Sequence, residues 1–229
     1  MEGRRFTPDQ LLWALNDVEQ KHAPDELFVA GDTDLLRASA CVAIVGSRQA
    51  SPEGMARAAK LARLLVGRGI TVVSGLAAGI DTAAHRAAMA ARGRTIAVLG
   101  TPLDEVFPTE NRELQTQIAR DHLVVSQFAS GTRVGKHTFP MRNRTMALLT
   151  DATVIVEATD RSGTINQGWE AIRLGRELWI AASLFANEQL AFPAQLAHYG
   201  AEKLSDEMLE DLLSRLPAGR RDWPAELPF

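Results

Sequence analysis

Cys41-Val42-Ala43-Ile44-Val45-Gly46-Ser47-Arg48 is the stretch on which the reading of this sequence turns. Its first five residues are small, apolar or β-branched, it turns at Gly46, and a helical pattern begins near Gly54. A short, wholly apolar run reads as a strand covered by helices on both faces, because neither face is left for water. The turn that follows joins three groups suited to an anion. A glycine lets the backbone come close, a serine hydroxyl and the loop N–H groups donate to phosphate oxygens, and an arginine offers a planar fork for two charge-assisted bonds. Gly46, Ser47 and Arg48 are therefore expected to bind phosphate at the carboxyl end of this strand. The loop fits neither Gly-x-Gly-x-x-Gly nor the P-loop pattern, which disfavours hydride transfer and P-loop hydrolysis.

Outward from that loop the same unit repeats. Apolar runs recur at residues 71–75, 95–100, 123–128, 153–158 and 177–182, separated by helical patterns at 54–68, 80–92, 111–121, 143–150 and 169–174. In the first of these helices Met55, Ala58, Ala59, Ala62, Leu65 and Val66 share one face, while Arg57, Lys60, Arg63 and Arg68 take the solvated one. Strand–helix alternation of this kind predicts an α/β, three-layer, doubly wound and mostly parallel sheet of extended Rossmann-like type, with right-handed crossovers. Ligands bind such sheets at the carboxyl ends of the strands, where the glycines fall. Residues 7–22, with Pro8 in the first turn, read as one amphipathic helix, and 26–32 as a short edge strand. Residues 207–216 read as a helix, with a loosely ordered tail from Pro217. The expected division is an N-terminal helical extension over 1–25, a Rossmann-like domain over 26–204 and a C-terminal helix and tail over 205–229.

Bulk properties narrow the function. With 229 residues, 46% of them hydrophobic and 23% charged, the chain can bury a large core without disulfides or metals. No run of about 18 apolar residues occurs and the first residues lack the apolar stretch of a signal peptide, so a cytoplasmic protein with no membrane contact is expected. The single cysteine, Cys41, reads as a small buried hydrophobe. A formal net charge of −3 argues against wholesale capture of nucleic acid, so any such site must be local.

Three further loops could carry chemistry. Gly75 and Gly79 bracket a turn before a helix in which Asp81 and His85 are spaced to face each other; helix capping accounts for Asp81 equally well. Lys136 to Arg144 concentrates three cations, Lys136, Arg142 and Arg144, around Phe139, with Asn143 placed to cap the next helix. A single nucleic-acid strand needs that combination, charge for phosphates and a ring for a base. The alternative is a core phenylalanine among solvated arginines. Ser162-Gly163-Thr164 again joins a strand to a helix in an anion-friendly geometry.

With these loops in hand, the sequence resembles the DprA/Smf (DNA-processing protein A) family. The likeness runs from Leu27-Phe28-Val29-Ala30-Gly31-Asp32 through CVAIVGSR, SGLAAGIDTAAH, TIAVLG, Asp104, Phe107-Pro108, Asn111, FPMRNR, VIVEA, SGT and Gly175-Arg176 to ELWIAAS, roughly three quarters of the chain. The resemblance implies a single-stranded DNA-binding protein that dimerises and helps load a RecA-type recombinase. Ser47 and Arg48 would hold backbone phosphate, Lys136 and Arg144 would line the basic pocket, and Phe139 would stack a base. It implies no cofactor, no metal and no catalytic residue. Departures are Ala78 where the family has arginine, SGTINQGWEA in place of the family's pattern, which sets Trp169 and Glu170 near the ligand edge, and no winged-helix module or preceding helical module.

A different class weighs against this one. The same fold serves sensors and hydrolases of small nucleotides, including the LOG-type phosphoribohydrolases with PGGxGTxxE. Here Gly163-Thr164 is present, but Glu170 lies six residues beyond Thr164 rather than three, and the preceding glycine pair is missing. A third reading is an interaction protein that keeps the fold without its ligand.

Overall fold

The computed structural model describes residues 3–12 and 14–217. In chain order the elements are β1 (Arg4–Phe6), α1 (Pro8–Leu11), α2 (Asp17–His22), β2 (Leu27–Gly31), α3 (Leu35–Ala38), β3 (Cys41–Gly46), α4 (Pro52–Gly67), β4 (Thr71–Ser74), α5 (Ile80–Ala90), β5 (Thr95–Leu99), α6 (Arg112–Asp121), β6 (Leu123–Ser126), α7 (Thr138–Leu148), β7 (Ala152–Glu157), α8 (Thr164–Arg173), β8 (Glu177–Ala181), α9 (Ala182–Phe185), α10 (Phe192–His198), β9 (Glu202–Leu204) and α11 (Leu209–Ser214).

The strands form one sheet in the order β1-β2-β6-β5-β4-β3-β7-β8-β9. From β6 to β9 all neighbours are parallel, and β1 and β2 are antiparallel. Because side chains alternate along a strand, β3 divides its residues between two cores. Cys41, Ala43 and Val45 pack with α1, α3, α7, α8 and α10. Val42 and Ile44 pack with α4, α5 and α11 on the opposite face, where α6 covers β2, β5 and β6. Helices on both faces make the three-layer α/β fold that the apolar runs predict. The sheet grows from β3 through β4 and β5 to β6, then returns to lay β7 on the other side of β3. Such a reversal parts the crossover connections and opens a crevice at the strand ends.

The N-terminal segment differs from the expected single helix. Asn16 accepts hydrogen bonds from the N–H groups of Val18 and Glu19 while Glu19 reaches back to the Asn16 N–H, and Gln10 does the same for the Thr7 N–H. Two capping boxes in a row start two short helices rather than one long one. Arg4–Phe6 adds an outer strand to β2, so β2 lies inside the sheet rather than at its edge. Buried Glu19 pairs with Arg176, which ties α2 to the turn after α8. Of the expected C-terminal helix, Leu209–Ser214 is helical; the tail lies mostly outside the described residues. Among the described residues no helix is long and apolar enough to cross a membrane.

The expected Asp81–His85 pair does not form. His85 is buried, and its Nδ1 meets Thr95 Oγ1 at 2.7 Å. The Thr95 hydroxyl donates to the Val72 carbonyl, so the imidazole donates to it through Nδ1. Burial lowers its pKa from 6.5 to about 3. A depressed folded-state pKa gives stability that is complete above the unfolded value and is lost as pH falls towards the folded one. Between about pH 6.5 and 3, protons favour the unfolded chain by up to about 1.4 kcal/mol per pH unit through this group. Thermal melts of His85→Leu against pH should show a shallower acid limb than the wild type. Parallel curves would show that His85 does not drive the acid sensitivity.

Candidate nucleic-acid interface

The crevice between the carboxyl ends of β3 and β7 is a cavity of about 600 Å³. It collects the loop 46–49, Ala77 and Asp81, then Lys136, Phe139, Pro140, Arg142 and Asn143 from the start of α7, and finally 162–164 with Asn166 and Gln167 from α8. Loops far apart in the sequence are thus brought to one site.

The loop after β3 is held by backbone on both sides. Ser47 N–H donates to the Glu157 carbonyl at 2.7 Å, and Ile80 N–H donates to the Ser47 carbonyl at 3.2 Å. Two glycines permit the clamp. A Cβ on Gly46 would meet Ile80 Cγ1 at 2.5 Å, and one on Gly79, whose φ is +76°, would meet the Ser47 carbonyl oxygen at 2.3 Å. Gly79 therefore serves the phosphate loop from behind and does not line the cavity. The Ser47 hydroxyl accepts from Gln49 N–H at 3.1 Å, which leaves its own proton to donate outward. On the far wall, Thr164 donates to the Gly46 carbonyl at 3.1 Å and receives the Ser162 hydroxyl at 2.9 Å. Asn143 steadies this loop by donating to the Gly163 carbonyl at 3.2 Å.

Glu157 is the residue that sequence reasoning missed. Its carboxylate takes the Ser51 N–H at 2.9 Å and the Ser51 hydroxyl at 2.5 Å, at the first turn of α4. Arg57 lies 3.7 Å away. A Cβ on Gly54 would fall 2.1 Å from Glu157 Oε2, so a glycine there makes room for the carboxylate. The positive end of α4 is thus already satisfied by an internal anion. The groups left to meet an anion in the cavity are the Ser47 hydroxyl and the side-chain cations.

The cations separate into three roles. Arg48 is exposed, with its guanidinium carbon 4.9 Å from the Phe139 ring centroid and 5.9 Å from that of Phe107. Neither Arg48 nor Lys136 has an ion-pair partner among the described residues, so both charges face the cavity uncompensated. Arg142 is buried beneath it. It donates to the Val98 carbonyl at 3.1 Å and lies against Gly75, where an added Cβ would fall 1.4 Å from Nη1. Gly75 therefore admits Arg142 rather than a phosphate. Asp81, also buried, accepts from Gly75 and Ala77 N–H at 3.1 and 3.3 Å. Burial pushes the Asp81 carboxyl up, opposed by the positive charge of Arg142 and by those hydrogen bonds; burial pushes the Arg142 guanidinium down, opposed by Asp81.

Arg144 does not join the site. Helix α7 begins at Thr138, not at Asn143, because Pro140 falls in its first turn, where a missing N–H costs nothing. That start rotates Arg144 away to pair with Glu170 at 3.3 Å. Glu170 is buried and also holds Arg173 at 2.9 Å. Neither Glu170 nor Trp169, which packs edge-on against Tyr199 at 5.1 Å, reaches the ligand edge. The carboxylate weighed for glycoside cleavage is therefore not in the cavity. Ala78 is exposed on the loop after β4.

A Rossmann-like crevice lined by Arg48, Lys136, a serine hydroxyl and an aromatic ring makes a candidate anion-binding site at the carboxyl ends of the strands. The chain belongs to the DNA recombination-mediator protein A family, whose sequence model matches residues 7–217. The DNA processing protein DprA of Streptococcus pneumoniae is 42% identical over 167 residues, 73% of this chain and 58% of that protein. The X-ray structure of DprA from that organism superposes with a TM-score of 0.80 at 34% identity, covering 95% of this chain and 76% of the other. A structure addressing the single-stranded DNA binding mode of DNA processing protein A from Helicobacter pylori superposes at 0.78 with 26% identity, over 93% of this chain and 98% of that one. The chain spans between 54% and 65% of the length of the first three curated relatives it matches.

The buried charges beneath the cavity give a direct test. Arg142→Ala leaves Asp81 without its opposing charge and should lower stability by on the order of 3 kcal/mol in urea unfolding. Adding Asp81→Asn should recover part of that loss. A double variant as unstable as the sum of the two single ones would show that the charges do not interact.

Proposed function

We propose that the cavity between β3 and β7 binds single-stranded DNA and that the chain acts in DNA processing and recombination. The observation that carries this reading is the pair of cations, Arg48 and Lys136, which have no ion-pair partner among the described residues and face a cavity that also presents the Ser47 hydroxyl and the Phe139 ring. Phosphate backbone supplies the counter-charge, and bases supply planar faces for the ring. The site is local and the chain is acidic overall, which favours an extended strand in one groove over broad electrostatic capture. Family membership and the DNA binding mode of the Helicobacter pylori relative support the same ligand. On this reading the protein works in the cytoplasm as a homodimer beside a RecA-type recombinase, an assignment supported by the family alone. In site terms, Gly46, Ser47, Arg48, Lys136, Phe139 and 162–164 meet the strand. Gly75, Gly79, Arg142 and Asn143 hold those groups in place.

Fluorescence anisotropy with a labelled oligothymidylate tests the proposal. Wild-type binding should weaken steeply with salt, because neutralised phosphates release counterions. Arg48→Ala and Lys136→Ala should each weaken binding and reduce the salt slope by about one. Arg144→Ala should bind as the wild type does. Absent or salt-insensitive binding by the wild type would overturn the reading.

A further inference from the structure

We infer that Phe107 is a second base-stacking platform, which carries the strand out of the cavity past Phe139 and over the loop between β5 and α6. The inference rests on the reading that the cavity takes single-stranded DNA. Phe139, the ring that the sequence singles out, is half-buried. One edge lies against Gly100, where a Cβ would sit 2.7 Å from its Cδ1, and the Arg48 guanidinium lies over the ring. Phe107 adjoins it with ring centroids 5.4 Å apart at 49°, and Phe107 is 49% exposed. The three groups make one continuous ledge at the rim of the cavity, and Phe107 is its open end.

A lone exposed hydrophobic residue needs no explanation. Phe107 differs because its ring packs at a tilt against Phe139, which lines the cavity, and because its loop is pinned from below. Buried Gln115 donates to the carbonyls of Leu103 and Glu105, both at 3.1 Å. Buried Asn111 donates through its N–H to the Pro108 carbonyl at 3.1 Å and through its side chain to the Leu76 carbonyl at 2.9 Å. The ring is thus presented already ordered, which spares a ligand the entropy of ordering it. Arg48, within 6 Å of both rings, is placed to hold the phosphate between two stacked bases.

Anisotropy with oligothymidylates of increasing length, and with one carrying a single abasic sugar at each position in turn, tests the platform. On the longer oligonucleotides Phe107→Ala should weaken binding by roughly five- to a hundredfold, the range for losing one stacked base. Its salt slope should stay that of the wild type, because no charge is lost. On a dinucleotide the effect should be small. One abasic position should abolish the difference between Phe107→Ala and the wild type. Phe107→Trp should keep the affinity, whereas Phe107→Leu, which retains apolar packing against Phe139, should not. If Phe107→Ala or Phe107→Leu binds like the wild type while Phe139→Ala does not, the platform is wrong and the cavity reading stands. Absence of binding by the wild type would overturn both.

Discussion

The phosphate loop depends on two backbone hydrogen bonds to one residue. Ser47 gives its N–H to the end of β7 and takes the N–H of Ile80 on its carbonyl. These bonds cross the point where the sheet reverses direction, so the loop after β3 is braced by the strand on one side and by the first turn of α5 on the other. Gly46 and Gly79 are required there because the backbones approach closer than any Cβ would allow. The loop is therefore fixed in shape before any ligand arrives, and the Ser47 hydroxyl, which accepts from the Gln49 N–H, keeps its own proton to donate.

Electrostatics then divide the work. Glu157 satisfies the first turn of α4 from within, and Asp81 and Arg142 oppose each other beneath the cavity. With those charges internally answered, the unanswered ones lie at the rim, on Arg48 and Lys136. A rim charge on a long side chain steers and holds a phosphate but reads no sequence. The aromatic rings beside it are equally tolerant, since every base has a stacking face. On the proposed function, a groove of this make-up would take a single strand of any sequence, and the small overall negative charge would confine binding to it.

Much of the fold was legible because its signal is redundant. Runs such as 41–46 and 153–157 are apolar on both sides, and only a sheet sandwiched between helices buries both. The glycine loops were legible from their position at strand ends. What escaped was rotational or distant. Asn143 looks like a cap, but Pro140 is tolerated in a first turn, so the helix starts at Thr138 and Arg144, within it, pairs with Glu170. Gly75 and Gly79 read as ligand glycines, yet one makes space for Arg142 and the other for the Ser47 carbonyl. Glu157 carries no local motif, since its partner Ser51 is brought to it only by strand pairing. The paired capping boxes at Thr7 and Asn16, Thr-x-x-Gln and Asn-x-x-Glu, are the sequence signal that divides the N-terminal helix.

The central claim is that a single strand lies across the β3–β7 crevice with a backbone phosphate on the Ser47 loop. A crystal structure of the chain with a bound oligothymidylate tests it most directly. The account predicts a phosphate within hydrogen-bond distance of the Ser47 hydroxyl and the Arg48 N–H, with the Arg48 side chain drawn from the Phe139 ring towards it. An oligonucleotide bound on another face, with Arg48 still resting on Phe139, would contradict it.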